Sequence, residues 1–151
     1  MVDPRQSSSS QFFVSAMTSD WQINTANQKL TAFDEITEKE WKEPYFFIQG
    51  ADIQFGLISE LNKEPVYNWE KEKQLAEDFV VKVNAMNPKP KFFIICGDLC
   101  DAFPVQKQED RDLQRADFKR IFGKVDPDIP LVCVCGNHDV GDTPTAQTVA
   151  M

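Results

Sequence analysis

Three apolar runs in this chain end in the same way, and this repetition limits the folds that the chain can adopt. The runs are Phe46–Asp52, Phe92–Asp98 and Leu131–Asn137, and in each the seventh residue carries a carboxylate or an amide after a small residue. Successive seventh residues lie 46 and 39 positions apart, which leaves room for helical crossovers between parallel strands. Three parallel strands would bring these polar side chains to one carboxyl edge, where open α/β sheets bind ligands.

Hydrophobic periodicity between the runs predicts the crossover helices. Apolar residues at helical spacing from Leu75 to Met86 indicate a helix that starts near Asn68, and a second helix is predicted over residues 110–122. Its apolar side is predicted to hold five residues: Leu113, Ala116, Phe118, Ile121 and Phe122. Residues 53–67 are predicted to be a long connection. The predicted fold class is α/β with the order βαβαβ, with strands over 45–51 and 91–96 and a third from Leu131.

The chain divides into two parts by composition. Residues 1–43 include a four-serine stretch and no clear period, so we interpret them as an N-terminal extension that is partly disordered. Residues 44–151 form the predicted domain. Three parallel strands are few for an independent α/β domain, whose sheet is normally covered on both faces. We therefore expect the chain to end before the fold is complete.

Charge and hydropathy narrow the classes of partner. The net charge of −8 and the sequence pI of about 4.6 argue against a nucleic-acid or anionic-membrane surface. No run approaches the roughly 18 apolar residues of a membrane span, and the N-terminus does not resemble a signal peptide. We expect a cytoplasmic protein, with no nucleic-acid or membrane partner.

The four cysteines allow two interpretations. They are Cys96, Cys100, Cys133 and Cys135, most of them in or beside predicted buried strands. The simpler interpretation is small buried hydrophobic residues in a reducing compartment. The alternative is a zinc site, although the C-x3-C and C-x-C spacings differ from the usual C-x2-C pairs.

The block Gly136–Asp139, Gly-Asn-His-Asp, concentrates chemistry at the end of the third strand, where Gly136 is expected to permit a sharp turn. Carboxylate and amide oxygens with one imidazole suit Mn, Mg, Fe or Zn. Two such cations about 3.5–4 Å apart can activate a water and hold phosphate oxygens. His138, the only histidine, could stabilise charge or protonate a leaving oxygen, and Asp139 could hold its other ring nitrogen. Asp101 is interpreted as a cap and is not counted as a ligand.

These motifs resemble the first three blocks of the calcineurin-like metallophosphoesterase family, whose pattern runs D-x-H, GD and GNH[DE]. Here they stand as Asp52-x-Gln54, Gly97-Asp98 and the Gly136–Asp139 block. The resemblance implies a four-layer α/β/β/α fold with a dinuclear site between two sheets. It also implies that Asp52 and Asn137 each bind one of two divalent cations, that Asp98 bridges both, and that His138 serves the phosphate. Gln54 replaces the family's histidine ligand, and its amide oxygen can still coordinate a metal.

The resemblance implies a protein serine/threonine phosphatase, whose partner is a phosphoprotein carrying phosphoserine or phosphothreonine. Two alternatives stay open. The family's later histidine blocks are absent from this sequence, which favours a non-catalytic interaction module made of the same half-domain. A receiver-like signalling domain could also hold Mg at a sheet edge, but it has no use for the Gly-Asn-His-Asp block.

Overall fold

The computed structural model describes residues 25–26, 29–30 and 44–149. The helices and strands of these residues follow in chain order: β1 (Thr25–Ala26), β2 (Lys29–Leu30), β3 (Ile48–Gly50), α1 (Leu57–Asn62), α2 (Glu70–Asn84), β4 (Phe93–Cys96), α3 (Gln108–Phe122), β5 (Leu131–Val134), α4 (Asn137–Val140) and α5 (Ala146–Val149). The short strands β1 and β2 pair antiparallel. Apart from them, the predicted extension over residues 1–43 lies outside the described residues.

The three predicted strands form one parallel sheet in the order β3-β4-β5. Ile48 pairs with Phe93, and Phe93 pairs with Leu131, so the strands are in register at their first residues. Strand β3 covers only the end of the predicted 45–51 segment, although the carbonyl of Phe46 still accepts a hydrogen bond from the Lys91 backbone. The α/β class and the βαβαβ order are confirmed.

Helices α2 and α3 cover one face of this sheet and pack against each other. Phe93 and Ile95, which point to that face from β4, are fully buried. The helices enclose them with a cluster of apolar residues: Ala76, Val80, Val83, Phe118, Ile121 and Phe122. Side chains alternate along a strand, so the other face receives Gln49 and Val134, which are both exposed.

The buried faces of the two helices differ from the predicted stripes at their N-terminal ends. Leu75 is 57% exposed on α2, and both Leu113 and Ala116 are exposed on α3. Arg111 and Gln114 are buried on α3 instead. The physical reason is that the first half of α3 packs against polar loops after β4, whereas its second half packs against the apolar sheet.

Helix α1 was not predicted, because residues 53–67 were expected to be a connection. Its start depends on a residue far along the chain: Glu72 Oε1 accepts hydrogen bonds from the backbone of Gly56 at 3.3 Å and Ile58 at 2.9 Å. A carboxylate at the N-terminus of a helix satisfies otherwise unpaired N–H groups. A pattern search over nearby residues cannot detect this long-range cap.

Helix α2 begins slightly later than predicted, at Glu70, with Trp69 in the capping position. Asn68 still contributes, since its Oδ1 accepts a hydrogen bond from the Glu70 backbone at 3.3 Å. Within the described ranges, no helix is both long enough and apolar enough to span a lipid bilayer.

Candidate metal centre

The loops after β3 and β4 run side by side at the carboxyl edge of the sheet. The backbone N–H of Asp52 donates to the carbonyl of Gly97 at 3.1 Å, and that of Gln54 donates to the carbonyl of Asp98 at 2.9 Å. These bonds continue the strand pairing past the ends of both strands. They bring the first two candidate ligand segments together, as expected for parallel strands that end at one edge.

Three of the candidate ligands have left-handed backbone conformations. The φ angles are 54° at Asp52, 38° at Gln54 and 50° at Asp98. Residues with a Cβ rarely adopt positive φ, and such strained positions cluster at functional sites. Asp tolerates this region better than most residues, whereas Gln54 has no such advantage. Hydrophobic patterning in the sequence does not reveal these backbone conformations. Only an inspection of the backbone dihedral angles identifies them.

The third loop lies directly over Asp98. The backbone N–H of His138 donates to Asp98 Oδ1 at 2.9 Å. A Cβ at Gly136 would clash with that carboxylate and with the Asp98 backbone. The chain passes from β5 to α4 within two residues, and Gly136 lies there in the β region with a φ of −103° rather than in a left-handed conformation. Glycine is required at this position because another loop approaches closely, not because of a positive φ.

The imidazole of His138 is held by a backbone carbonyl. Its Nδ1 lies 2.7 Å from the carbonyl oxygen of Asp101, and its ring packs on Phe103 with centroids 4.2 Å apart. Because a carbonyl oxygen only accepts hydrogen bonds, Nδ1 carries the proton in the neutral ring. This tautomer leaves Nε2 as the nitrogen that can accept and transfer a proton.

Asp139 does not hold the His138 ring, contrary to the sequence-based expectation. Its buried carboxylate accepts hydrogen bonds from the backbone of Leu99 at 3.0 Å and Gly136 at 2.8 Å. Burial raises the pKa of this carboxyl group above its ordinary value, although the backbone donors lower it in part. The short side chain of Asp139 points to these backbone N–H groups rather than along α4. Asp139 therefore joins the loop after β4 to the loop after β5.

Asp101 is the site residue that sequence reasoning set aside. It is buried, and its Oδ2 accepts a hydrogen bond from the Tyr67 hydroxyl at 2.8 Å. That hydroxyl also accepts from Gln114 Nε2 at 2.9 Å. Burial and the bond to Asp101 raise the pKa of Tyr67 above its ordinary range. The Gly-Asp-x-x-Asp spacing was the available signal, but it did not separate a cap from a site residue.

The other candidate ligands differ in exposure. Gln54 is buried, while Asp52 and Asn137 are exposed. Asn137 Nδ2 donates to Asp142 Oδ1 at 2.9 Å, which assigns the amide nitrogen to that contact and leaves the amide oxygen as a possible ligand. Asp52, Gln54 and Asp98 lie on the loops that follow β3 and β4, and Asn137 is the first residue of α4, just after β5.

Comparison with known proteins decides the family. The model of the calcineurin-like phosphoesterase family matches residues 16–148 of the chain. The chain belongs to the calcineurin-like phosphoesterase family. The motifs of this family lie on the three loops that meet at the carboxyl edge.

Curated relatives of the chain share one name. The chain is 50% identical over 125 residues to the bovine serine/threonine-protein phosphatase CPPED1 and 50% identical over 124 residues to the human one. It is 41% identical over 131 residues to the zebrafish protein of that name. These alignments cover 80% of the chain and 39% of the two mammalian relatives, and 84% of the chain and 42% of the zebrafish relative. No solved structure matches the chain.

The oxygen donors of the four candidate ligands fit a hard cation. Members of the family generally use divalent metals, and two carboxylates with two amide oxygens are the kind of ligands that Mg or Mn prefers. Among residues 44–149 and the two short strands, no three His, Cys, Asp or Glu side chains group closely enough to hold a metal ion. A metal site at this edge would therefore need the amide oxygens of Gln54 and Asn137 as well as the carboxylates of Asp52 and Asp98.

The cysteines do not form the alternative zinc site. All four are free thiols. Burial raises the pKa of Cys100 and of Cys133 to about 12, so both remain protonated at neutral pH. Among the described residues no three His, Cys, Asp or Glu side chains group closely enough to hold a metal ion, so the buried thiols are better described as small apolar residues of the interior.

Proposed function

We propose that the chain contributes to a metal-dependent phosphoesterase that hydrolyses phosphoserine and phosphothreonine esters of proteins. The observation that supports this most strongly is the bond from the His138 backbone to Asp98 Oδ1, at 2.9 Å. It joins the candidate bridging ligand to the residue after Asn137. The relatives named serine/threonine-protein phosphatase support the substrate class, although the chain spans only 39% of the length of the mammalian ones.

In this proposal Asp52, Gln54, Asp98 and Asn137 hold two divalent cations, drawn from Mn, Mg, Fe or Zn. When bound, such cations supply positive charge for phosphate oxygens and lower the pKa of a bound water. The His138 N–H donates to Asp98 Oδ1 and so orients the carboxylate whose charge would serve both cations. The hydrogen bond that the Asn137 amide nitrogen donates to Asp142 Oδ1 orients the Asn137 side chain.

His138 is proposed to act on the phosphate and its leaving group. Its Nδ1 is committed to the carbonyl of Asp101, so Nε2 is the atom that would hold the proton for the leaving oxygen. The contact with Phe103 restricts the ring. The Asp139 carboxylate accepts hydrogen bonds from backbone N–H groups and so holds the loop after β4 against the start of α4. A cytoplasmic location belongs to the same proposal, since free cysteines are typical of reducing compartments.

The alternative proposal is a non-catalytic interaction module with the same three loops. It is favoured by the ligand chemistry, because the chain has a single histidine and the described residues bring no three typical metal-binding side chains together. Such a module would bind a phosphoprotein or a partner of a complete enzyme without turnover.

The test is hydrolysis of p-nitrophenyl phosphate and of a phosphothreonine peptide by the purified 151-residue chain with added Mn²⁺. Asp98→Asn keeps the side-chain shape and removes the charge of the proposed bridging ligand, so it should abolish most of the metal-dependent rate. Asp78→Asn is the matched control, because Asp78 is exposed on α2, where its carboxylate accepts a hydrogen bond from the Gln74 side chain.

Metal-dependent hydrolysis that Asp98→Asn removes and Asp78→Asn retains would support the phosphoesterase proposal. Equal hydrolysis by all three proteins would point to a contaminant and contradict it. Folded wild-type chain that binds Mn²⁺ and a phosphopeptide without hydrolysis would favour the interaction module.

A further inference from the structure

The first half of α3 buries polar side chains where an amphipathic helix ordinarily buries apolar ones. Arg111 and Gln114 lie one turn apart, and they are 4% and 0% exposed. Removing a guanidinium from water is unfavourable unless hydrogen bonds replace the lost hydration. The contacts of Arg111 therefore show which hydrogen bonds replace its lost hydration.

The guanidinium of Arg111 joins two loops through their backbone. Its Nη1 donates to the carbonyl oxygens of Ala102 at 2.9 Å and His138 at 3.1 Å, and its Nη2 donates to that of Asp139 at 2.5 Å. The Nε atom is buried without a partner, so the two terminal nitrogens make all these contacts. Since the acceptors are main-chain atoms, Arg111 holds backbone positions rather than balancing a neighbouring carboxylate.

The geometry points to Arg111 as a positioning residue for His138, an inference that rests on the proposed role of His138 in the phosphoesterase. The ring is held by the carbonyl of Asp101, which immediately precedes Ala102. Arg111 binds Ala102 on one side and the backbone that carries the ring on the other. It therefore sets the distance between His138 Nδ1 and its acceptor, and through that distance the tautomer of the ring.

Gln114 also binds the segment Asp101–Ala102. Its Oε1 accepts a hydrogen bond from the Ala102 backbone at 3.0 Å, and its Nε2 reaches Asp101 through the Tyr67 hydroxyl. One helix face thus fixes the Asp101–Ala102 segment at both its backbone and its side chain. Arg111 alone extends this support across to His138, which makes it the residue to test.

The experiment compares Arg111→Met, Arg111→Lys and Arg115→Met. Arg115 lies one turn further along α3, where its side chain is 38% exposed and its Nη1 lies 3.9 Å from Asp112 Oδ1. Because His138 is the only histidine, nitrogen NMR of the ring reports its tautomer without interference from another imidazole. The spectra are recorded over a series of pH values, and the tautomer is read from those in which the two ring nitrogens show a neutral imidazole.

Arg111→Met should shift the neutral ring from the Nδ1–H tautomer toward a mixture, and Arg111→Lys should restore part of the Nδ1–H population. Arg115→Met should match the wild-type spectrum. Where hydrolysis is measurable, Arg111→Met should lower kcat by about 10- to 100-fold with a smaller change in KM, the scale expected for a misplaced catalytic group.

A folded Arg111→Met chain with the wild-type tautomer would overturn the inference. If both Arg111 variants fail to fold, the wild-type protein decides: slowed rotation of the Arg111 guanidinium supports the inference, and rotation as fast as that of Arg115 contradicts it. These spectra require no turnover. A wild-type chain without hydrolysis would therefore count against the proposed phosphoesterase while the tautomer comparison still decides the role of Arg111.

Discussion

The position of Gly136 shows how a single hydrogen atom in place of a side chain permits the candidate site to assemble. Its Cα faces Asp98 so closely that any Cβ would overlap the carboxylate and the backbone nitrogen. Gly136→Ala should therefore displace the third loop and lower the free energy of unfolding by about 1–3 kcal/mol, the usual effect of overpacking. Thermal or denaturant unfolding measures this change.

Gly50→Ala is the control for that substitution. A Cβ at Gly50 would lie 3.5 Å from the Phe93 ring, which is an ordinary van der Waals distance. The control should change stability by less than the Gly136 variant, and it should retain Mn²⁺ binding. Equal effects of the two substitutions would show that the close approach of Gly136 to Asp98 is not the constraint.

Tyr67 is a second residue that supports the candidate site, and it does so through its hydroxyl group. Tyr67→Phe removes the donor to the buried carboxylate of Asp101 and the acceptor for Gln114 Nε2. Leaving buried polar groups unpaired costs about 1–3 kcal/mol, so the free energy of unfolding should fall by that amount. Denaturant unfolding beside Tyr45→Phe, a change on an exposed ring, measures it. An unchanged Tyr67→Phe midpoint would show that water replaces the hydroxyl.

Residue-level reasoning from the sequence placed Asp52, Asp98 and Asn137 at one edge because the strand pattern and the spacing are local signals. It could not identify Arg111 as a buried residue, because a charged residue in an amphipathic helix ordinarily lies on the side that faces water. It also assigned Asp139 to the ring of His138, whereas the acceptor is the carbonyl of Asp101. Every residue has a backbone carbonyl, so only the folded structure shows which one accepts the hydrogen bond from the His138 ring.

At the scale of elements, Asp117 connects α2 to α3. Its carboxylate accepts a hydrogen bond from Trp69 Nε1 at 2.9 Å and pairs with Arg120 at 3.0 Å and Lys73 at 3.5 Å. Partial burial favours the neutral acid, but Trp69 and the cations outweigh it and hold the pKa of Asp117 below its ordinary value of 3.8. The folded state therefore prefers the ionised carboxylate more than the unfolded state does.

This lowered pKa gives a pH-dependent prediction. A group with a depressed pKa in the folded state stabilises the fold above its unfolded pKa and loses that contribution as the pH falls through the folded value. Asp117→Asn should cost about 0.5–1 kcal/mol at neutral pH, as for a partly exposed pair, and the difference from wild type should shrink in acid. Denaturant unfolding at several pH values measures it.

Asp112→Asn is the control, since Asp112 lies on the same helix but is largely exposed. It should leave stability nearly unchanged at every pH. A wild-type minus Asp117→Asn difference that stays constant from neutral to acidic pH would contradict the electrostatic explanation.

The elements themselves were predictable to different extents. The long helices and the parallel sheet follow from strong local periodicity, and the structure confirms their type and order. Helix α1 could not be predicted because Glu72, 14 residues beyond Ile58, supplies its N-terminal cap. The exposed positions of Leu113 and Ala116 likewise reflect the loops that α3 packs against, and these loops are set by tertiary contacts.

For the molecule as a whole, one face of the sheet is packed by α2 and α3, while the loops at its carboxyl edge gather the proposed ligands. Family membership agrees with this arrangement, and the chain spans 39% of the length of its mammalian relatives. The central proposal concerns the chemistry of that edge: we propose that Asp52, Gln54, Asp98 and Asn137 bind divalent cations through oxygen atoms.

The most direct test is Mn²⁺ binding by the 151-residue chain, measured by calorimetry or by the loss of the free-ion paramagnetic resonance signal. We predict binding by wild type and by Asp78→Asn, and at least about tenfold weaker binding by Asp98→Asn, since even the loss of an outer partner of a metal ligand has such an effect. Folded wild-type protein that binds no Mn²⁺, or equal affinity in Asp98→Asn, would contradict the account.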